Sequence, residues 1–129
     1  MINIHKRYKS SVMASMIVNK KTVSRWGIFK LGKKFDKRNY LVKDVIEKPS
    51  MVNAPSNKAV IGRYILSKKI FSKLKNIKRT KGGEKHITDA IQKLINENEK
   101  FIAHNFSGKY LDCGTFKGYI QSSLEISKI

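Results

Sequence analysis

KAVIGRYIL, residues Lys58–Leu66, packs β-branched and aromatic side chains into a run of strand length. A glycine inside such a run weakens the strand, so Gly62 marks a bulge or a place where another group approaches the backbone closely. Working upstream, Pro49 and Pro55 bracket a loop at 48–56, and 40–47 (YLVKDVIE) forms a plausible strand before it. Residues 26–31 (WGIFKL) and 11–18 (SSVMASMI) read as two earlier strands, the former followed by a polar turn at Gly32-Lys33-Lys34.

Downstream, Ser67 is placed to cap a helix over 68–76, with Ile70, Phe71 and Leu74 on one face. Gly82-Gly83 ends that segment. Thr88 then caps a helix through Asn98, with Ile91, Leu94 and Ile95 as its apolar stripe. Residues 100–106 (KFIAHNF) return as a strand, Gly108 turns the chain, and Thr115 caps a last helix carrying Tyr119, Ile120 and Leu124. Strands first and then alternating strand and helix predict an α/β or α+β domain.

The chain's 129 residues suit one domain. No apolar run approaches the roughly 20 residues needed to cross a bilayer, and nothing at the N-terminus resembles a secretory signal. The lone Cys113 forms no internal disulfide, which predicts a reducing, cytoplasmic setting. The formal net charge of +19 would attract phosphate-bearing partners. It comes, however, from 23 Lys and only 5 Arg, scattered from Lys6 to Lys128. Readers of nucleic acid lean on arginine for bidentate contacts, so a solvated lysine surface is the better reading than a nucleic-acid binder.

Taken alone, Glu47-Lys48-Pro49 is an ion pair before a turn. Its functional reading is more specific: a carboxylate accepts hydrogen bonds from sugar hydroxyls, the ammonium beside it meets a phosphate, and the proline fixes the exit of the loop. His86 and His104 have no partner at metal-ligand spacing and read as structural, and Thr88-Asp89-Ala90 reads as a helix start.

Four motifs now stand in order: V-I-E-K-P at Val45–Pro49, A-P-S-N-x-A-V-I-G-R-Y-I-L from Ala54, G-G-E-x-x-I-T-D-A-I from Gly82, and D-C-G-x-x-x-G-Y from Asp112. Together they resemble bacterial UTP–glucose-1-phosphate uridylyltransferases over residues 15–126, and the A-P-S-N and G-R-Y forms are closer to the uridylyl than to the thymidylyl branch. The resemblance implies the C-terminal part of a Rossmann-like nucleotide-diphospho-sugar transferase fold, a mixed sheet with flanking helices. It implies that Glu47 binds glucose hydroxyls, that Lys48 holds the phosphate of glucose 1-phosphate or UDP-glucose, and that the backbones at Gly27 and Gly62 reach the sugar. It further implies that Asp112 helps to hold Mg²⁺ between the phosphates; the competing reading of Asp112 is a cap for the last helix. Either glycine could instead serve the backbone alone. Cys113 is expected to be packed. Lys85 and His86 depart from the family pattern, and a buried Lys85 would loosen its segment.

The triphosphate grip of such enzymes, G-x-G-x-x-R, does not occur in this sequence. The resemblance therefore implies that 1–129 is the sugar-binding portion, with the nucleotide-binding half lying N-terminal to it and absent. Residues 1–129 alone are then not expected to form UDP-glucose. A separately encoded N-terminal half is a candidate partner, a complete enzyme is expected to be a homo-oligomer, and strands left without that half would expose apolar edges. The alternative is a non-catalytic sugar-phosphate-binding or assembly module.

Overall fold

Short apolar runs form five strands: β1 (Ser11–Ile17), β2 (Gly27–Lys34), β3 (Asn39–Glu47), β4 (Lys58–Ile65) and β5 (Phe101–Asn105). Four helices accompany them, α1 (Ile2–Tyr8), α2 (Lys69–Lys75), α3 (Ile87–Asn96) and α4 (Phe116–Ile126). The structure, a computed structural model, describes residues 1–79 and 83–129. Hydrogen bonds join the strands in the order β4-β1-β5-β3-β2. The β1–β5 pair is parallel and the others are antiparallel. The sheet curls so strongly that Ile28 of β2 meets Ala59 of β4.

One face of this curl holds the main core. Met13, Phe29 and Phe101 from the sheet pack with Ile70 of α2 and with Ala90, Ile91 and Leu94 of α3. Each large side chain removed from water here stabilises by about 1.5–3 kcal/mol. A smaller cluster, Val23, Ile28 and Ala59, lies beneath Trp26 and Ala54.

The mixed sheet with flanking helices is as expected, and four local expectations are corrected. β2 continues through Gly32-Lys33-Lys34, and the chain turns instead at Asp36, whose Oδ1 accepts from the N–H groups of Arg38 at 2.8 Å and Asn39 at 3.0 Å. Ser67 does not cap α2: its hydroxyl is buried without a partner, and Lys68 takes the cap position. Thr88 does not cap α3 either; His86 occupies that position and the helix closes at Asn96, with Asn98 left-handed at φ 65°. Phe71 faces solvent, while Ile70 carries the buried face of α2. Two elements had no counterpart in the sequence reading: α1, ended by a left-handed Lys9, and a 3-10 helix at Lys20–Arg25 capped by the Asn19 side chain. The cap of α4 by Thr115 is as expected, its Oγ1 accepting from the Gly118 N–H at 3.1 Å. Gly82 lies outside the described residues.

α4 stands apart from this core. Only Ser122 of the helix is buried, whereas Phe116 is 82% exposed and Leu124 58% exposed. The bare apolar surface is thus concentrated on a helix, where strand edges had been expected to carry it. Among the described residues no helix is long and apolar enough to cross a membrane.

Candidate functional site

β2 and β3 end side by side, with Gly27 directly opposite Glu47. The N-terminal turn of α3 lies over this pair and encloses a cleft of about 250 Å³. Arg25, Gly27, Glu47, Tyr64 and Thr88 line it, together with Trp26, Val60, His86 and Ile87.

The absence of a side chain at Gly27 shapes the cleft. A Cβ there would stand 3.1 Å from the Glu47 Oε2 and 3.5 Å from the Thr88 Cγ2. Glycine therefore leaves the space that the carboxylate occupies. The Thr88 hydroxyl donates to Oε2 of Glu47 at 3.2 Å across 41 positions of sequence. Tyr64 approaches from β4; burial first, and then the charge of Glu47, hold its phenol above its ordinary range.

Lys48 follows Glu47 with φ 46°, and its N–H donates to the Trp26 carbonyl at 3.0 Å. Left-handed backbone is unfavourable for a side chain with a Cβ and persists where its surroundings enforce it. Here the bond to Trp26 does so, turning the chain sharply and leaving the Lys48 side chain exposed. Behind it, Pro49 is buried, and the Ser56 hydroxyl donates to the Phe29 carbonyl at 2.6 Å, tying the A-P-S-N loop to β2.

Lys48 itself is not among the residues lining the cleft, and the other two predicted residues also lie off its wall. Gly62 is exposed at φ 68°, with nothing within 4 Å of an added Cβ. It sits where the β1–β4 register breaks, so its demand is for backbone conformation at a bulge. Asp112 precedes α4. Its Oδ1 accepts from the Gly114 N–H at 3.0 Å, and its Oδ2 lies 3.7 Å from the Arg25 guanidinium. Arg25 lines the cleft, and Tyr110 sets its ring edge-on to Trp26 at 5.4 Å, so the Asp112 segment adjoins the cleft by two side-chain contacts.

Among the described residues no three His, Cys, Asp or Glu side chains converge on one point. Asp112 nonetheless offers a hard, partly exposed carboxylate next to Arg25 of the cleft lining, and Mg²⁺ usually takes one or two carboxylates with phosphates completing its shell. The residues fit a single donor to such an ion and do not form a closed cage. The helix-capping role belongs to Thr115, while Asp112 holds its own turn through Oδ1 and keeps Oδ2 loosely near Arg25.

A family model for nucleotidyl transferases matches residues 1–129. The chain belongs to the nucleotidyl transferase family. It is 37% identical over 123 residues to UTP–glucose-1-phosphate uridylyltransferase of Pseudomonas aeruginosa, covering 95% of this chain and 43% of that protein. It is 44% identical over 90 residues to the protein of the same name from Bacillus subtilis, covering 70% of this chain and 30% of that protein. Among solved structures, it matches apo UDP-glucose pyrophosphorylase with a TM-score of 0.92 and 39% identity, over 99% of this chain and 46% of that one. A UDP-glucose pyrophosphorylase complexed with UDP-glucose matches with a TM-score of 0.89 and 39% identity, over 98% of this chain and 47% of that one. The chain thus spans less than half the length of these relatives.

In this family member the structure brings Gly27 and Glu47 together in the cleft and leaves Lys48, Gly62 and Asp112 outside its lining. Sequence reasoning missed Thr88, Tyr64, Arg25 and His86. For Thr88 a signal existed: positions 88, 91 and 95 share one helical face with the apolar stripe, so its side chain points inward. Lys85 is not buried. Its ammonium donates to the Leu74 and Lys75 carbonyls at 3.1 and 3.2 Å, closing the C-terminus of α2. Cys113, expected to be packed, is exposed.

Proposed function

We propose that residues 1–129 form the sugar-phosphate-binding portion of a UTP–glucose-1-phosphate uridylyltransferase, the enzyme that joins UTP and glucose 1-phosphate into UDP-glucose and pyrophosphate. The observation that carries the reading is the Glu47 carboxylate held in the cleft opposite Gly27, in a chain that matches a UDP-glucose complex closely. Glu47 accepts hydrogen bonds from hydroxyls of the hexose. Lys48, exposed at its left-handed turn, supplies a point charge to the phosphate. Gly27 keeps the floor of the cleft open, and Gly62 sets the path of β4 beside it. Asp112 serves as one Mg²⁺ donor, and an ion bound there would neutralise charge between the phosphates. Transfer of this kind rests on positioning and charge stabilisation, so residues 1–129 by themselves bind ligand without turning it over. The cellular setting proposed is the cytoplasm.

Isothermal titration with UDP-glucose tests the reading. Wild-type chain should bind, and Lys48→Ala should weaken binding by about tenfold or more, the scale of one lost charge-assisted hydrogen bond. Unfolding should rise in temperature with UDP-glucose for wild type and much less for the variant. No shift at millimolar ligand would sink the proposal.

A further inference from the structure

The Thr88 hydroxyl stands in an unusual position for a threonine in the first turn of a helix. Such a side chain commonly caps the helix or bonds back to a carbonyl one turn earlier. Thr88 makes neither bond: its partner is Glu47 Oε2 at 3.2 Å, on a strand 41 positions away. The residue is only 5% exposed. Its branched side chain is stiff at χ1, and its position is fixed by Ala90, Ile91 and Leu94, which pack α3 into the core. Its methyl group lies beside Gly27, 3.5 Å from where a Cβ would be. Thr88 therefore touches both halves of the β2–β3 end that forms the cleft.

We infer that Thr88 is a positioning residue that holds the Glu47 carboxylate by one oxygen, so that the other is presented to a hydroxyl of the bound hexose. The inference rests on the proposed role of Glu47. An ionised carboxylate has acceptor capacity at both oxygens, and no other hydrogen bond from the described residues reaches this one. Engaging Oε2 from a rigid helix removes rotation of the carboxylate as a source of disorder. The hexose hydroxyl then meets an acceptor already in place, which is how preorganisation raises affinity. Gly27 and Thr88 thus frame the Oε2 side of the carboxylate.

The test compares UDP-glucose with UDP, which lacks the hexose, by titration against the 129-residue chain. Thr88→Val keeps the shape and removes the donor. It should weaken UDP-glucose binding by about tenfold and leave UDP binding within about twofold. Thr88→Ser restores the hydroxyl and should recover UDP-glucose binding, and Thr88→Ala supplies a second donor-free variant should valine disturb packing. In a Glu47→Ala background Thr88→Val should have no further effect on UDP-glucose, since the group it positions is gone. Equal losses for both ligands, no loss at all, or additive losses with Glu47→Ala would overturn the positioning role while leaving the site reading intact. Unchanged UDP-glucose binding in Glu47→Ala would overturn the site reading itself.

Discussion

Glu47 and Asp112 are two carboxylates of one candidate site, yet the molecule holds them by very different means. Glu47 ends a central strand, faces a glycine across the ladder, and receives a hydrogen bond from a helix whose inner face is fully buried. Asp112 lies in an exposed segment, held by its own turn, by a loose approach to Arg25 and by Tyr110 against Trp26. Exposed ion pairs of this kind contribute at most about 1 kcal/mol. In the proposed roles, a sugar hydroxyl needs an acceptor fixed in direction, and the arrangement around Glu47 provides one. A donor to a metal ion gains its geometry when the ion and phosphates arrive, so a lightly held arm is compatible with that task.

Removing a core side chain and a helix-face side chain should separate the two regions most widely. Phe101 is fully buried, and Phe101→Ala should destabilise by about 3–5 kcal/mol, enough to abolish the cleft. Leu124 on α4 is 58% exposed, and Leu124→Ala should stay within about 0.5 kcal/mol. Urea unfolding of both measures the contrast; a similar loss at Leu124 would show that α4 is held more firmly than its burial indicates.

A smaller and local effect is expected at Gly118. A Cβ there would lie 2.2 Å from the carbonyl oxygen of Asp112, closer than any real contact, so backbone must move. The second glycine of the D-C-G-x-x-x-G-Y motif thus lets the start of α4 pass against the Asp112 backbone. Gly118→Ala should strain this junction by about 1–3 kcal/mol. Hydrogen exchange should show protection lost across α4 while amides of α3 and β5 keep theirs. Loss in α3 as well would mean that the two regions are coupled.

The sheet was legible in the sequence because each strand is a short apolar run ended by turn residues, and strands at 11–18, 40–47 and 58–66 lie within one or two residues of the observed β1, β3 and β4. Helix starts were legible only where capping is local. Thr115 caps α4 as its position suggests, whereas Ser67 leaves its hydroxyl without a partner and Thr88 gives its own to Glu47. Capping is read from neighbours in sequence, while the Thr88 partner is brought in by tertiary packing. The pairing of Gly27 with Glu47 was equally invisible, because register between strands follows from the whole sheet. The resemblance named both residues, but the contact between them comes from the fold.

Tyr64 allows the finest test, since its phenol shares the cleft with Glu47. Burial is the first cause of its raised pKa and the Glu47 charge the second. In the unfolded chain the phenol loses its proton near the ordinary value of 10.0. Between that value and the higher folded one, the folded state binds more protons than the unfolded, so stability falls as pH rises. Below pH 10 the full contribution is present. Lysines titrate in the same range, so the difference between wild type and Tyr64→Phe isolates the phenol. That difference should move against wild type above pH 10 in unfolding measurements and stay level below it. Adding Glu47→Gln to both proteins should shrink the alkaline difference without removing it, because burial outweighs the carboxylate. A difference that vanished entirely would make Glu47 the dominant neighbour and the cleft wetter than its walls imply; one that did not change would place the carboxylate farther from Tyr64 than the shared cleft requires.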